Sequence, residues 1–251
     1  MKLRNLYTLF LQFAKYNHQG QNKIDSLQTF AVLSSMDDLL AENLGKTIND
    51  RQKEFFFSKK HDALGKNPSK VEFEYPAMFV LENDFTRENP FKQKRTDCFN
   101  MQLAFLYPYL ETCQDNFLKR TCQNLTIQEI EIKMQELSAT FFDYLCNVVC
   151  VTEKDKRYWI NEEVLKLLKS ESNNYRKTPF PTIDIGATKG FQQMLDKRNT
   201  TMSGRYVDCI GKDNLYGMLY NFTFCTTDCE KGLFKPVKGC CSGTVAEVAC
   251  C

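Results

Sequence analysis

Cysteine is the residue type in this sequence with the greatest capacity for chemistry. The chain has 251 residues and contains twelve cysteines, six of which lie in the last 27 residues. These six are Cys225, Cys229, Cys240, Cys241, Cys250 and Cys251. Clustered thiols can form disulfides, hold a metal ion or act as nucleophiles. The C-terminal segment is therefore the first place to search for a site.

A zinc site is one reading of this segment. Four thiolates can hold Zn²⁺ tetrahedrally, and a spacing such as that of Cys225 and Cys229 is tolerated. The remaining cysteines form adjacent pairs, which is not the usual zinc-knuckle arrangement, and no Cys-x-x-Cys occurs. Cys225, Cys229, Cys240 and Cys250 are thus weak candidate ligands. Disulfides and free thiols are the alternatives, and we expect no bound metal or other cofactor.

Catalysis by cysteine requires an activating group such as histidine nearby. Only His18 and His61 are present, in separate segments, and no His-Glu-x-x-His, Walker A, Gly-x-Gly-x-x-Gly or Gly-x-Ser-x-Gly motif occurs. Cys146 and Cys150, four residues apart, are interpreted as buried thiols on one helix face. The sequence therefore predicts no catalytic residue and no enzymatic activity.

Composition narrows the class of protein further. The hydrophobic content of 43% is typical of a globular protein. Lys and Arg total 33 against 31 Asp and Glu, so the charge is nearly balanced and gives no global field for attracting nucleic acid. No apolar run approaches the roughly 18 residues of a membrane span. The N-terminus lacks a signal-peptide pattern. We expect a soluble protein made in a reducing compartment, with neither a membrane nor a specific nucleic-acid sequence as partner.

The elements that must position any site follow from hydrophobic periodicity. Helical spacing predicts a helix over residues 2–17, and a short apolar run predicts a strand at Phe30–Leu33. Alternation with period two predicts strands over 71–81 and 99–107. Pro76 lacks a donor, so we expect its strand to be at an edge or bulged there. The 82–96 connector between these strands is too long for a tight hairpin.

The second half of the chain begins with the clearest helix. Thr126 and Glu129 form a capping-box pattern, and an apolar stripe continues to about residue 150. Residues 151–200 are predicted to be an insertion or irregular arm. Alternation then predicts strands at 205–210 and 215–224.

Together these elements predict an α+β fold, in which a small, mostly antiparallel sheet with long strands packs against a long helix and an N-terminal helix. The core domain would comprise residues 1–150, completed by returning strands at 201–224. The 151–200 arm and a cysteine-rich extension at 225–251 would flank it.

The order of elements resembles that of the tail-terminator-like and tail-completion (neck) proteins of tailed phages, of the type found in phages of Bacteroidetes. The likeness covers about half of the chain and rests on pattern. It is carried by the following segments: Leu3 to Tyr16, Tyr75 to Val80, Phe99 to Phe105, Ile127 to Cys150 and Ser203 to Tyr206.

This resemblance implies a structural protein of the virion, made in the host cytoplasm, that forms a homo-oligomeric ring, often a hexamer, at the junction of tail and neck. Its partners would be tail-tube, sheath or connector proteins. We expect the connector and the arm to reach adjacent subunits, as closed rings use heterologous contacts. The candidate interface residues are Arg87, Lys92, Lys94, Arg95, Trp159, Tyr216, Tyr220 and Phe222. The alternative function is a cysteine-dependent zinc module that binds nucleic acid or protein.

Overall fold

The computed structural model describes residues 3–16, 26–33, 55–59, 73–88, 96–153, 156–163, 166, 201–211 and 214–227. Much of the predicted 151–200 arm and the tail beyond residue 227 lie outside these residues.

The described chain forms an α+β fold, as predicted. Its helices are α1 (Leu3–Tyr16), α2 (Asn116–Thr121) and α3 (Ile127–Cys146). Its strands are β1 (Thr29–Leu33), β2 (Phe57–Ser58), β3 (Ala77–Glu88), β4 (Thr96–Pro108), β5 (Val148–Glu153), β6 (Lys156–Asn161), β7 (Thr201–Ile210) and β8 (Leu215–Thr227). Six strands form one sheet in the order β2-β1-β3-β4-β8-β7, and β5 pairs with β6. Within the larger sheet only β1 and β3 run parallel.

Helices α1 and α3 cover the same face of the six-stranded sheet. The rings of Phe10 and Phe13 on α1 each lie 5.1 Å from the ring of Phe141 on α3, edge to face. Phe141 in turn contacts Phe105 of β4 at 5.7 Å. Aromatic contacts of this kind add to the free energy gained by burial. A cluster of phenylalanines therefore joins both helices to the centre of the sheet.

The predicted start of α3 is confirmed. The Thr126 hydroxyl accepts a hydrogen bond from the Glu129 amide, and the Glu129 carboxylate accepts one from the Thr126 amide at 2.8 Å. The Thr126 amide, followed by the Thr126 hydroxyl that donates to the same carboxylate oxygen at 2.8 Å, lowers the pKa of Glu129. The predicted apolar stripe is buried at Ile130, Met134, Leu137, Phe141 and Leu145.

The predicted end of α3 is wrong. The helix ends at Cys146, and Cys150 lies in β5, so the two cysteines do not share a helix face. Cys146 is exposed rather than buried. The valines at 148, 149 and 151 explain the change, because β-branched side chains favour strands over helices.

Strand β3 differs from its prediction in both position and surroundings. It begins at Ala77, directly after the cis Tyr75–Pro76 bond, and lies inside the sheet between β1 and β4. The irregularity in its pairing lies between Leu81 and Asp84, not at Pro76. The proline is tolerated because it precedes the strand, where its carbonyl accepts from the Gln28 amide at 2.8 Å. The expected edge or bulge at Pro76 is therefore wrong.

Both strands of the central hairpin extend into the connector expected at 82–96. β3 continues to Glu88, which pairs with Thr96 at the start of β4. Only residues 89–95 separate the two strands. The central part of each strand is buried on both faces, which explains the continuous apolar runs Ala77–Leu81 and Leu103–Tyr107.

Residues 148–161 form a second, two-stranded sheet where an irregular arm was expected to begin. Its strands β5 and β6 pair antiparallel from Val148 opposite Asn161 to Glu153 opposite Lys156. The Asn161 side-chain amide donates to the Tyr144 carbonyl at 2.9 Å, close to the end of α3. This hydrogen bond fixes the base of the hairpin to the long helix.

Loss of the α3 cap should be measurable as a loss of stability. Thr126→Ala removes the hydroxyl that accepts from the Glu129 amide, and we expect the free energy of unfolding to fall by about 1 kcal/mol. Denaturant unfolding followed by circular dichroism measures this. Thr140→Ala is the matched control, because its exposed hydroxyl donates within the same helix and alanine is a better helix former. Equal losses in both variants would contradict the capping role.

Candidate functional site

A disulfide joins the adjacent strands β4 and β8 of the sheet. Cys98 of β4 and Cys225 of β8 are directly opposed in the pairing register, with their Cα atoms 4.1 Å apart. This separation is nearest to that of a non-hydrogen-bonded antiparallel pair, in which opposed side chains are closest. The bond links residues 127 positions apart, and both cysteines are buried. It therefore closes a loop containing half of the chain.

The disulfide changes the interpretation of the cysteine-rich segment. Cys225, a candidate zinc ligand, is bonded to Cys98 and offers no thiolate in this state. The other candidates, Cys229, Cys240 and Cys250, lie outside the described residues. A disulfide was one of the alternatives to zinc for this segment. The sequence carried no signal for this pairing, because a separation of 127 positions along the chain hides the register.

Elsewhere in the described part of the chain, no three His, Cys, Asp or Glu side chains are grouped so that they could hold a metal ion. Cys113 is buried, whereas Cys146 and Cys209 are exposed. Both histidines lie outside the described residues.

The exposed Cys209 lies near the end of β7, next to the turn that leads to β8. Its thiol donates to the Asn214 side-chain oxygen at 3.3 Å, and the Asn214 amide donates to the Thr112 carbonyl at 3.0 Å. Cys209 and Asn214 both have positive φ, as does Gly211, and glycine and asparagine are favoured at such turn positions. Burial, and then the neighbouring Cys209, raise the pKa of Tyr216. These contacts fix the turn to the segment after β4.

Two of the aromatic residues expected at a subunit interface lie in the core instead. Tyr220 and Phe222 are each only 8% exposed, and both rings contact Phe142 of α3. The Tyr220 hydroxyl is hydrogen-bonded to Ser138 at 2.6 Å. Because these side chains are covered by the chain's own helix, they leave little surface for a neighbouring subunit.

The other interface candidates are placed as follows. Tyr216 is half-buried, and its ring lies 5.6 Å from that of Tyr109. Arg87 is opposite Asp97 in the β3–β4 pair, and Trp159 is opposite Cys150 in the β5–β6 pair. The three basic residues Lys92, Lys94 and Arg95 lie outside the described residues.

The surface that sequence reasoning missed is the outer edge of β7. This strand is last in the sheet order, and within the described residues no strand pairs with its outer side. All side chains from Thr201 to Tyr206 are exposed. Met202 is 51% exposed and Tyr206 is 49% exposed. Elsewhere in the described part of the chain, Ile132 is the only large hydrophobic residue that is exposed, at 54%. Apolar exposure is therefore concentrated around one edge.

Helix α3 is attached to this edge. The Tyr206 hydroxyl donates to the side-chain oxygen of Gln135 on α3 at 3.1 Å. Ile132 lies about one helical turn before Gln135. Alternation along β7 placed Tyr206 on a strand, but the position of that strand at a sheet edge depends on the pairing of distant segments. The sequence thus contains the residues of this surface without indicating their exposure.

No family model, curated protein or solved structure matches the chain. Among the helices described, none is long and apolar enough to cross a membrane.

The disulfide should contribute strongly to stability. Cys98→Ser combined with Cys225→Ser should lower the free energy of unfolding by about 2–4 kcal/mol in buffer without reductant, because the unfolded chain is no longer cross-linked. Cys146→Ser combined with Cys209→Ser is the matched control, with an expected change within about 0.5 kcal/mol since both residues are exposed. Chemical denaturation of all three proteins, with and without reductant, measures this. An unchanged wild-type midpoint on reduction would contradict the assignment.

Proposed function

We propose that the chain is a structural protein that acts by assembling with other protein chains. The observation that carries this proposal is the outer edge of β7, where exposed backbone coincides with Met202 and Tyr206. Natural sheets normally shorten, charge or cover an edge strand to prevent association with another chain. A ten-residue edge strand with two large, half-exposed apolar side chains favours association instead.

The opposite edge of the sheet differs from β7, and this difference supports an assembly role for β7. β2 has two residues, and both are buried. One edge is therefore short and covered, while the other is long and accessible. This asymmetry is expected when one edge has a binding role.

The assembly we propose is the ring at the tail–neck junction of a tailed phage that the sequence resemblance implies. In this assembly the ring would end the tail tube and join it to the connector. The disulfide is compatible with such a location, since disulfides persist in extracellular particles but are rare in the reducing cytosol where the chain would be made. The Cys98–Cys225 bond would then form after assembly or release.

Electron microscopy of the purified full-length chain tests this function. We expect closed rings, and combined Lys92→Ala, Lys94→Ala and Arg95→Ala substitutions should abolish most of them, because we place these residues between subunits. Lys119→Ala with Arg120→Ala is the matched control, as both basic residues are exposed on α2. A chain that stays monomeric, alone and with tail-tube protein, would contradict the proposal.

A further inference from the structure

We infer that β7 is a self-association strand, which pairs antiparallel with β7 of a second copy across a twofold axis at Gly204. This inference rests on the proposed assembly function and names one surface by which it occurs. The result would be a continuous sheet of twelve strands, made from the six of each copy.

Of the two edge strands in the described six-stranded sheet, β7 is the one that suits a second β7 as its partner. The opposite edge of the same sheet is β2, whose two residues are buried and cannot pair along the length of β7. A contact between identical β7 edges is isologous, so each residue that forms it is used twice. Among the edges of the six-stranded sheet, only β7 can provide a long, accessible partner for itself.

The regular part of β7 has its centre at the proposed axis. β7 pairs with β8 without interruption from Thr201 to Val207, and the register then shifts between Val207 and Ile210. A twofold axis that uses this whole segment passes through Gly204. Thr201 of each copy then lies opposite Val207 of the other.

This register brings the exposed apolar side chains together. Met202, Gly204 and Tyr206 share the helix-covered face of the sheet, because they are opposite Phe222, Tyr220 and Met218 of β8. With the axis at Gly204, Met202 of each copy lies directly opposite Tyr206 of the other. Thioether–aromatic contacts are favourable, and opposed pairs are the main source of stability between strands.

Arg205 selects against a neighbouring register of the β7 pair. With the axis at Gly204, Arg205 lies opposite Ser203 of the other copy. An axis shifted by one residue to Arg205 would place the two arginines directly opposite each other, which is unfavourable. That shift would also place Met202 opposite Asp208, where no apolar contact forms.

Gly204 fits the centre of this contact for a steric reason. A Cβ atom at this position would lie 2.6 Å from the ring of Tyr220, so the site requires glycine. The ring of Tyr220 covers Gly204 on this face, so it fills the gap between Met202 and Tyr206 and leaves those two side chains as the ones that β7 itself offers to the other copy. Ile132 and Gln135 of α3 lie on the same side of the sheet and would border the contact.

Charge substitutions on β7 test the surface and its register. Met202→Lys should raise the dimer dissociation constant at least about tenfold, because it places an ammonium group against Tyr206 of the other copy. Met202→Lys combined with Tyr206→Glu should restore association, since the twofold axis brings Lys opposite Glu twice. Thr140→Lys is the matched control, as it adds the same charge at an exposed site on α3. Sedimentation equilibrium of the full-length proteins gives the constants, and circular dichroism verifies that each is folded.

Each outcome of this experiment is decisive. Weakening by Met202→Lys, recovery in the double variant and no effect of Thr140→Lys support the inference. A monomeric wild type, or a dimer insensitive to Met202→Lys, overturns it. Weakening without recovery in a folded double variant overturns the register with its axis at Gly204.

The inference and the proposed function can fail separately. Rings that persist in Met202→Lys would retain the assembly function while excluding β7 as its surface. A β7-dependent dimer that never forms rings, alone or with tail-tube protein, would retain the surface while excluding the neck ring.

Discussion

The pairing of β4 with β8 is the interaction on which the rest of the structure depends. The two strands pair without a break over thirteen positions, from Thr96 opposite Thr227 to Pro108 opposite Leu215. One side of this pair receives β3 and the other receives β7, while α3 packs across its surface. Because the strands are far apart in the sequence, forming the pair requires closure of a long loop, and this is entropically costly. The Cys98–Cys225 bond near one end offsets part of that cost by restricting the unfolded chain.

The core that covers this pair is unusually aromatic. Phe105 of β4 contacts Phe141 of α3, and Tyr220 of β8 lies between Phe105 and Phe142. The Tyr220 hydroxyl is buried there, and its hydrogen bond to Ser138 removes the free-energy cost of an unpaired polar group. This bond also fixes α3 relative to β8. The strand that supports the exposed β7 edge is therefore held rigidly by the helix above it.

Sequence patterning predicted what local physics determines. Thr126 and Glu129 located the start of α3 because a capping box is formed within four residues. Alternation from residue 205 located β7 for the same reason. Patterning failed where distant segments decide the outcome: Pro76 was assigned to an edge or bulge because the strand on each side of it was unknown. Likewise, nothing local to Cys98 indicates that Cys225 lies opposite. The β7 edge was missed for the same reason, because the exposure of Met202 depends on which strand is last in the sheet.

The disulfide also affects the accessible edge of β7, because β8 lies between them. β8 is bonded covalently to β4 at Cys225, and it pairs with β7 from Thr223 back to Leu215. Met202 lies opposite Phe222, three residues before the disulfide. A strand can present a fixed row of backbone donors and acceptors only if its own neighbour is held in register. In this fold the neighbour is held by a covalent bond on one side and by an aromatic core above. The outer edge of β7 is consequently a preorganised surface, and a partner strand would bind without first having to order it.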